Sequence, residues 1–529
     1  MSWKNRLFKT FTVACALQLV FSASAKEAGQ EYDGVTIPTD KVSGKGIIPF
    51  KVEIYPEQTI KEYSPNMLGV TAETTASISS VNRLFLPYGK TFDSGYPLVA
   101  EDTVELFKSE HFAPPFVQLF GGGISFHWKD QLGKMEERKP LRSKNPKVIK
   151  PKVQVGFVEY LKFMLAVNPQ SEFAVHVNLA DNLRDSRDLA QFLLGDSNTE
   201  WGKRRIELGI PGPVKVAVWN LDGEYEWQED WTAEKYIVNA MAHIVAIRSV
   251  DPKAKISVQA ATAPWAAKSA DKWIQWNRAI LNGLGEDVEY FSFHPYYHGL
   301  PVSVIAKEYM DKMLDDIKKS PNPNVKIFVS EYGAWPPGYG KKDWKKYWFW
   351  THSLKGCLDT AEWLNVMMNR SDVAMMCCHS LNSGPWMMAE RDAKSGKVYL
   401  TGIADVLKMY QNIPGDRIVK TAVTGQFCDI KDVNLNTTAV SVMGSDGMLY
   451  LFLNNRSPDI SRPVELTIPG RTYSIEEVAA LTAPQLSSFN TAAERPVKVS
   501  CEKWNGNILV LPPQAFMRLK IKLNGNADK

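Results

Sequence analysis

Residues 214–227 read VKVAVWNLDGEYEW and residues 325–335 read VKIFVSEYGAW: in each, a short apolar run rich in Val and Ile stops at a glutamate, Glu224 or Glu331. Runs of this length, without polar alternation, are the mark of strands buried on both faces, as in parallel sheets. Six more punctuate the chain: NMLGVTAE (66–73), PPFVQLFGG (114–122), EFAVHVNLA (172–180), AKISVQAAT (254–262), VEYFSFHPYYHG (288–299) and VAMMCCHSLN (373–382). Between them lie stretches with apolar residues at helical spacing, among them VGFVEYLKFMLAV (155–167), TAEKYIVNAMAHIVAIRSV (232–250) and DTAEWLNVMMNR (359–370). Eight strands alternating with helices predict an α/β fold, a closed (β/α)8 TIM barrel, and such barrels carry their chemistry at the carboxyl ends of the strands.

After residue 413 the texture changes to period-2 alternation: TTAVSVMGSDGMLYLFLNNRS (437–457), SRPVELTIPG (461–470) and GNILVLPPQAFMRLKIKLNG (506–525). These predict a C-terminal antiparallel β-sandwich domain, with Ser445-Asp446-Gly447 as a hairpin turn. GIIPFKVEIYPEQ (46–58) reads as an early strand that joins it. The expected organisation is a leader over 1–25, an N-terminal segment over 26–60, the barrel over 61–410 and the sandwich over 411–529.

The leader carries Lys4, Arg6 and Lys9, an apolar run from Phe11 to Phe21, then Ala23-Ser24-Ala25, which predicts cleavage after Ala25 and secretion or periplasmic delivery. That run has about 11 residues where a membrane span needs about 20, and no later segment predicts a span. Five cysteines remain beyond it, unevenly spaced, and predict at most one disulfide and no zinc site. A net charge of +4 gives no nucleic-acid footprint, and eight His without paired-ligand spacing predict no metal centre and no other cofactor. LFGGGISFHWKD (119–130) is glycine-rich but lacks the sequel of a phosphate loop, which weighs heavily against nucleotide binding. The 16 Trp, 19 Tyr and 23 Phe are more informative, since an aromatic face stacks on the apolar face of a sugar ring.

Two carboxylates at the ends of different barrel strands can converge across the barrel mouth, as glycoside hydrolysis requires of a proton donor and a nucleophile or base. Glu226 competes with Glu224 for the acid role but lies further into its loop. His294 and Tyr296, in FSFHPYYHGL, stand at a third strand end, where a tyrosine can hold the charge of a carboxylate; His294 reads equally as a core histidine.

Taken in order, SPNMLGVTAE, FGGGISFHWKDQLGKMEERKP, HVNLADNLRDSRDLAQFLLGDSNTEWGKRRIELG, VWNLDGEYEW, SVDPKAKI, FSFHPYY, VSEYGAW, LYLFLNNRS and LVLPPQAFMRLKI resemble glycoside hydrolase family 51, the retaining α-L-arabinofuranosidases of clan A. The resemblance implies Glu224 as general acid/base, Glu331 as nucleophile and Glu73 as a sugar-hydroxyl ligand. It also implies His294 and Tyr296 beside the nucleophile, and Trp128 and Trp335 as aromatic walls around an oligo- or polysaccharide. Clan members carry Asn directly before the acid/base to bind the hydroxyl next to the reacting carbon, where this chain has Gly223. The family's Asn after the paired glycines becomes Gly123, and the Arg before them becomes Gln118. Each lost hydrogen bond is worth on the order of 1 kcal/mol, so a shifted sugar specificity is expected. An endo-glycanase or β-glycosidase of the same clan, and a carbohydrate-binding protein on a degenerate hydrolase fold, are the alternatives.

Overall fold

A computed structural model describes residues 30–32, 35–37, 49–73, 84–85, 100–121, 124, 127–142, 152–261, 270–297, 302, 305–336, 344–382, 384–425, 437–504, 506 and 508–526. The leader, and with it the expected cleavage site, lies outside these residues.

The first long strand, β1 (Phe50–Glu62), precedes eight strands that close into a parallel barrel. These are β2 (Gly69–Glu73), β3 (Phe116–Gly121), β4 (Glu172–His176), β5 (Val216–Leu221), β6 (Ile256–Gln259), β7 (Tyr290–Ser292), β8 (Lys326–Tyr332) and β9 (Val373–Cys378). All eight apolar runs are therefore barrel strands, in chain order around the ring, with β9 pairing back onto β2. That seam depends on Gly69, opposite Cys377: a Cβ there would meet the Phe116 ring at 2.6 Å and the Met376 carbonyl at 2.8 Å.

The C-terminal strands β10 (Gly415–Thr424), β11 (Thr437–Gly444), β12 (Met448–Asn455), β13 (Arg462–Thr467), β14 (Arg471–Thr482), β15 (Lys498–Lys503), β16 (Val510–Leu511) and β17 (Ala515–Asn526) join β1 in one sheet, in the order β15-β14-β17-β12-β11-β10-β1-β13-β16. The expected C-terminal antiparallel domain is present, its nine strands hydrogen-bonded in one continuous sheet in which one pairing, β13 with β1, is parallel. Its core gathers Val464 and Leu511 from one end with Val478 and Met517 from towards the other, so the sheet folds over its own apolar face. The β11–β12 hairpin turns at Gly447, whose φ of 76° suits a residue without a Cβ.

The other face of the sheet packs on the barrel through α2 (Leu354–Met368) and α3 (Gly402–Gln411), the helices that follow β8 and β9; α1 (Ala233–Arg248) follows β5. Tyr410 of α3 stacks on Phe452 and Phe516. Beside it, Arg456 reaches Asp359 at 2.6 Å and also bonds Glu362, both on α2. The partly buried Lys61 ammonium of β1 donates to the carbonyls of Met367, Arg370 and Val373 at and beyond the end of α2. Among the described cysteines, Cys357, Cys377, Cys378 and Cys501 are free, and no described helix is long and apolar enough to cross a membrane.

Candidate active site

Residues two apart on a strand share a face, and this places the polar end of the barrel. Phe116, Ala174, Val218 and Phe328 form an apolar layer inside it. Two residues further along their strands, Gln118, His176, Asn220 and Ser330 make the next level polar, and all are buried. Above them the carboxyl ends of β5, β7 and β8 meet.

Asp222, one residue beyond β5, sits at the base of this meeting point and is buried. Its carboxylate accepts from the hydroxyls of Ser292 and of Ser330 (3.4 Å) and from the Glu224 N–H (3.2 Å). His294 Nε2 lies 2.8 Å from it. The opposite nitrogen of the same ring, Nδ1, is 3.2 Å from Glu224 Oε1 and 3.8 Å from Glu331 Oε2, so those two carboxylate oxygens are no further apart than about 7 Å, the two distances laid end to end. One imidazole thus links the two glutamates that the sequence singled out.

Its charge follows from its neighbours. Burial alone would push the His294 imidazole down, but the carboxylates of Asp222, Glu331 and Glu224 outweigh it and raise its pKa well above 6.5. Burial alone would likewise raise the Asp222 carboxyl; the charge and N–H of His294, with Ser292 and the Glu224 amide, hold it instead at about 2. Asp222 and His294 form an ion pair beneath the glutamates.

The glutamates themselves differ. The Glu331 side chain, on β8, is 15% exposed and accepts from the Tyr296 hydroxyl at 2.8 Å. The Glu224 side chain is 50% exposed and its backbone is left-handed (φ 50°, ψ 45°), an uncommon state for a residue with a Cβ. Tyr296, Trp335 and Trp386 pack ring against ring, with centroids 4.9 to 5.4 Å apart. His379, bonded to Thr71 at 3.0 Å, packs against Tyr296 and Trp386, with Nδ1 3.9 Å from Glu331. Among the described residues, no group of three or more His, Cys, Asp or Glu is placed to hold a metal ion.

Of the residues expected at the site, Glu224, Glu331, His294, Tyr296 and Trp335 come together. Glu73 ends β2 at the same edge of the barrel, its backbone in register with Gly121. Trp128 does not form a wall: it is 3% exposed, packed among Phe157, Phe192 and Trp201, and its indole N–H donates to the Asp185 carbonyl at 3.0 Å. Its rings face protein because the helices behind β3 and β4 close over it. Gly223 offers only backbone, and the space its side chain would need is filled, since a Cβ there would stand 2.8 Å from the Tyr225 ring. Tyr225 is tucked under the loop, its hydroxyl accepting from the Leu179 N–H at 2.7 Å. Glu226, the rival for the acid role, is buried and bonded to Gln259. Sequence reading missed Asp222, His379 and Trp386. The strand-end rule applied to VAMMCCHSLN picks out His379; nothing local marks Trp386.

Two family models match this chain: the α-L-arabinofuranosidase 1 domain over residues 110–298 and the α-L-arabinofuranosidase C-terminal domain over residues 331–513. Together they take in both glutamates and most of the sheet. The chain belongs to glycoside hydrolase family 51. This family 51 chain is a divergent, α-L-arabinofuranosidase-like glycoside hydrolase. It is 21% identical over 518 residues to a probable α-L-arabinofuranosidase C of Aspergillus flavus, covering 89% of this chain and 96% of that one. It is 26% identical over 202 residues to an intracellular exo-α-(1→5)-L-arabinofuranosidase of Acetivibrio thermocellus, covering 37% of this chain and 39% of that relative. Its fold matches the α-L-arabinofuranosidase of Thermotoga maritima, solved as an arabinose complex, with a TM-score of 0.72 at 18% identity, over 89% of this chain and 99% of that one.

Proposed function

We propose that this family 51 hydrolase cleaves by double displacement, with Glu331 as nucleophile and Glu224 as acid/base, on an arabinofuranoside-like residue of a plant or algal polysaccharide. The observation that carries the reading is the convergence of both carboxylates on His294 Nδ1. A retaining pair stands about 5 to 5.5 Å apart, inside the limit those distances set.

Their surroundings support the division of roles. The enclosed Glu331 carboxylate, oriented by Tyr296, attacks the anomeric carbon and forms a glycosyl ester. The half-exposed Glu224 gives its proton to the departing oxygen, then takes one from the water whose oxygen attacks the same carbon, and Glu331 leaves as carboxylate. The aromatic trio beside Glu331 offers apolar faces to the sugar. With Gly223 in the place of the family's Asn and the space beside it filled by the Tyr225 ring, the hydroxyl next to the reacting carbon must be recognised differently, so a sugar related to arabinofuranose is the expected substrate. Export through the leader, with cleavage after Ala25, brings the enzyme to a polymer outside the cell; N-terminal sequencing of the mature protein checks it.

The test is release of sugar from nitrophenyl glycosides and cell-wall polysaccharides by the wild type beside Glu331→Gln, with proton NMR of the first-formed anomer. Hydrolysis with retention, absent in the variant, is expected. Inversion, or an active Glu331→Gln, overturns the assignment.

A further inference from the structure

The left-handed backbone of Glu224 (φ 50°) is a strained state that persists only when its surroundings over-determine it. The Glu224 N–H donates to Asp222 and its carboxyl meets His294, and one further side chain holds the backbone on both sides of it. Gln259, the last residue of β6, is wholly buried, and its Oε1 accepts from the Gly223 N–H at 3.3 Å and from the Tyr225 N–H at 3.0 Å. These are the amides on either side of Glu224. Its Nε2 donates to Glu226. The amide cannot be turned round, because two N–H groups require its oxygen and a carboxylate requires its N–H. Gln259 is in turn anchored through its main chain. Its N–H donates to the Tyr236 hydroxyl at 2.9 Å, that hydroxyl donates to the Leu221 carbonyl at 2.8 Å, and the Gln259 carbonyl accepts from the Trp276 indole at 3.2 Å. Strand β6 therefore grips the loop at the end of β5 before and after the acid/base, while the Glu224 side chain remains half in solvent.

We infer that Gln259, paired with Glu226, is a positioning residue that aims the Glu224 carboxyl at the leaving-group oxygen. The inference rests on Glu224 being the acid/base. It takes no part in proton transfer itself, so its loss should be felt in proportion to how much the departing oxygen needs a proton. A general acid contributes about 10²- to 10⁴-fold, and a misplacement of about 1 Å can forfeit about 10²-fold.

The test uses the full chain with Gln259→Met, Gln259→Glu, Glu226→Gln and the exchanged pair Gln259→Glu with Glu226→Gln. Gln259→Met fills the space without hydrogen bonds; Gln259→Glu sets two carboxylates against each other; the exchanged pair restores every donor and acceptor. Two readouts are taken: hydrogen–deuterium exchange of the peptide spanning residues 222–228, and kcat/KM on 2,4-dinitrophenyl α-L-arabinofuranoside against an arabinan oligosaccharide. Gln259→Met and Gln259→Glu are expected to exchange the loop amides at least about tenfold faster. On the oligosaccharide they should lose about 10²-fold, with little change on the dinitrophenyl substrate, whose leaving group needs no proton. The exchanged pair should return both readouts close to wild type. Wild-type protection and leaving-group dependence in Gln259→Met, or an exchanged pair no better than Gln259→Glu alone, overturns the inference. Glu224→Gln run alongside separates the two readings: if it lacks the leaving-group signature, or the wild type cleaves neither substrate, the acid/base or substrate assignment fails and amide exchange still judges the clamp.

Discussion

Replacing Asp222 by Asn removes a charge and keeps the shape of the carboxyl; the amide oxygen can still accept from the Glu224 N–H, while the Ser292 hydroxyl, bonded to the other oxygen, turns to accept from the new NH2. What disappears is the anion 2.8 Å from His294 Nε2. In the folded protein Asp222 is held at about 2, against an ordinary 3.8. That gap of about two units, at about 1.36 kcal/mol each, makes its ionised state worth about 2 to 3 kcal/mol to folding. The depressed carboxyl contributes above its unfolded pKa, and the contribution is lost as pH falls from 3.8 through about 2. The raised imidazole of His294 contributes fully below 6.5, and that contribution is lost as pH rises through its folded pKa. The pair is therefore worth most between roughly pH 4 and 6.5. Thermal unfolding of wild type and Asp222→Asn, followed by circular dichroism at pH 5 and at pH 9 to 10, should show a gap at pH 5 of about 2 to 3 °C, at about 1 °C per kcal/mol for a chain of this length, and a narrower gap in alkali. A gap independent of pH, or wider in alkali, would refute the ion pair. No substrate enters the measurement, so the result stands whichever sugar is cut.

Three further outcomes are expected. Tyr296→Phe deletes the hydroxyl that donates to Glu331 at 2.8 Å; a hydrogen bond to a charged group is worth about 1.5 to 3 kcal/mol, so kcat/KM should fall about 10- to 100-fold, and an unchanged value would remove Tyr296 from the site. Arg456→Met strips the cation from Glu362 at the contact between sheet and barrel, where burial, only partly offset by Arg456, raises that carboxyl to about 7. The variant also leaves Asp359 without its partner at 2.6 Å, so it should lose stability at both pH values, by up to about 3 to 5 kcal/mol, and more at pH 8, where Glu362 must ionise without Arg456 or hold a proton, than at pH 5, where it is neutral; urea unfolding at pH 5 and pH 8 checks the sign. Gly223→Asn, which restores the clan's residue, drives a Cβ to 2.8 Å from Tyr225; it should lower the melting temperature without raising arabinofuranosidase activity, and a gain in activity would show that the loop yields.

Much was legible in the linear order of residues. The eight apolar runs are separate, Val- and Ile-rich and spaced by amphipathic helices, so the barrel follows from patterning. The barrel then dictates that Glu224, Glu331, His294 and Tyr296 stand at strand ends on one rim. These are properties of period and position, which neighbouring residues alone determine.

Which side chains face the cleft is another matter, because it depends on what the loops of other strands place behind them. Trp128 and Trp335 are alike in sequence, both just past a glycine-containing strand end; helix packing buries the first, and only the second meets Tyr296 and Trp386. Glu224 and Glu226 lie two residues apart, and Gln259, on the next strand, takes Glu226 out of solvent and leaves Glu224 in it. Asp222 reads as one more loop acid until β7 brings His294 beneath it. Gly223 reads as a lost sugar ligand until Tyr225 is seen filling its space. Each of these outcomes is a contact between residues distant in the chain or folded back across a turn, where burial and partner charge set the chemistry; the sequence alone determined where the glutamates stand, and tertiary packing decided which acid, which tryptophan and which ion pair serve them.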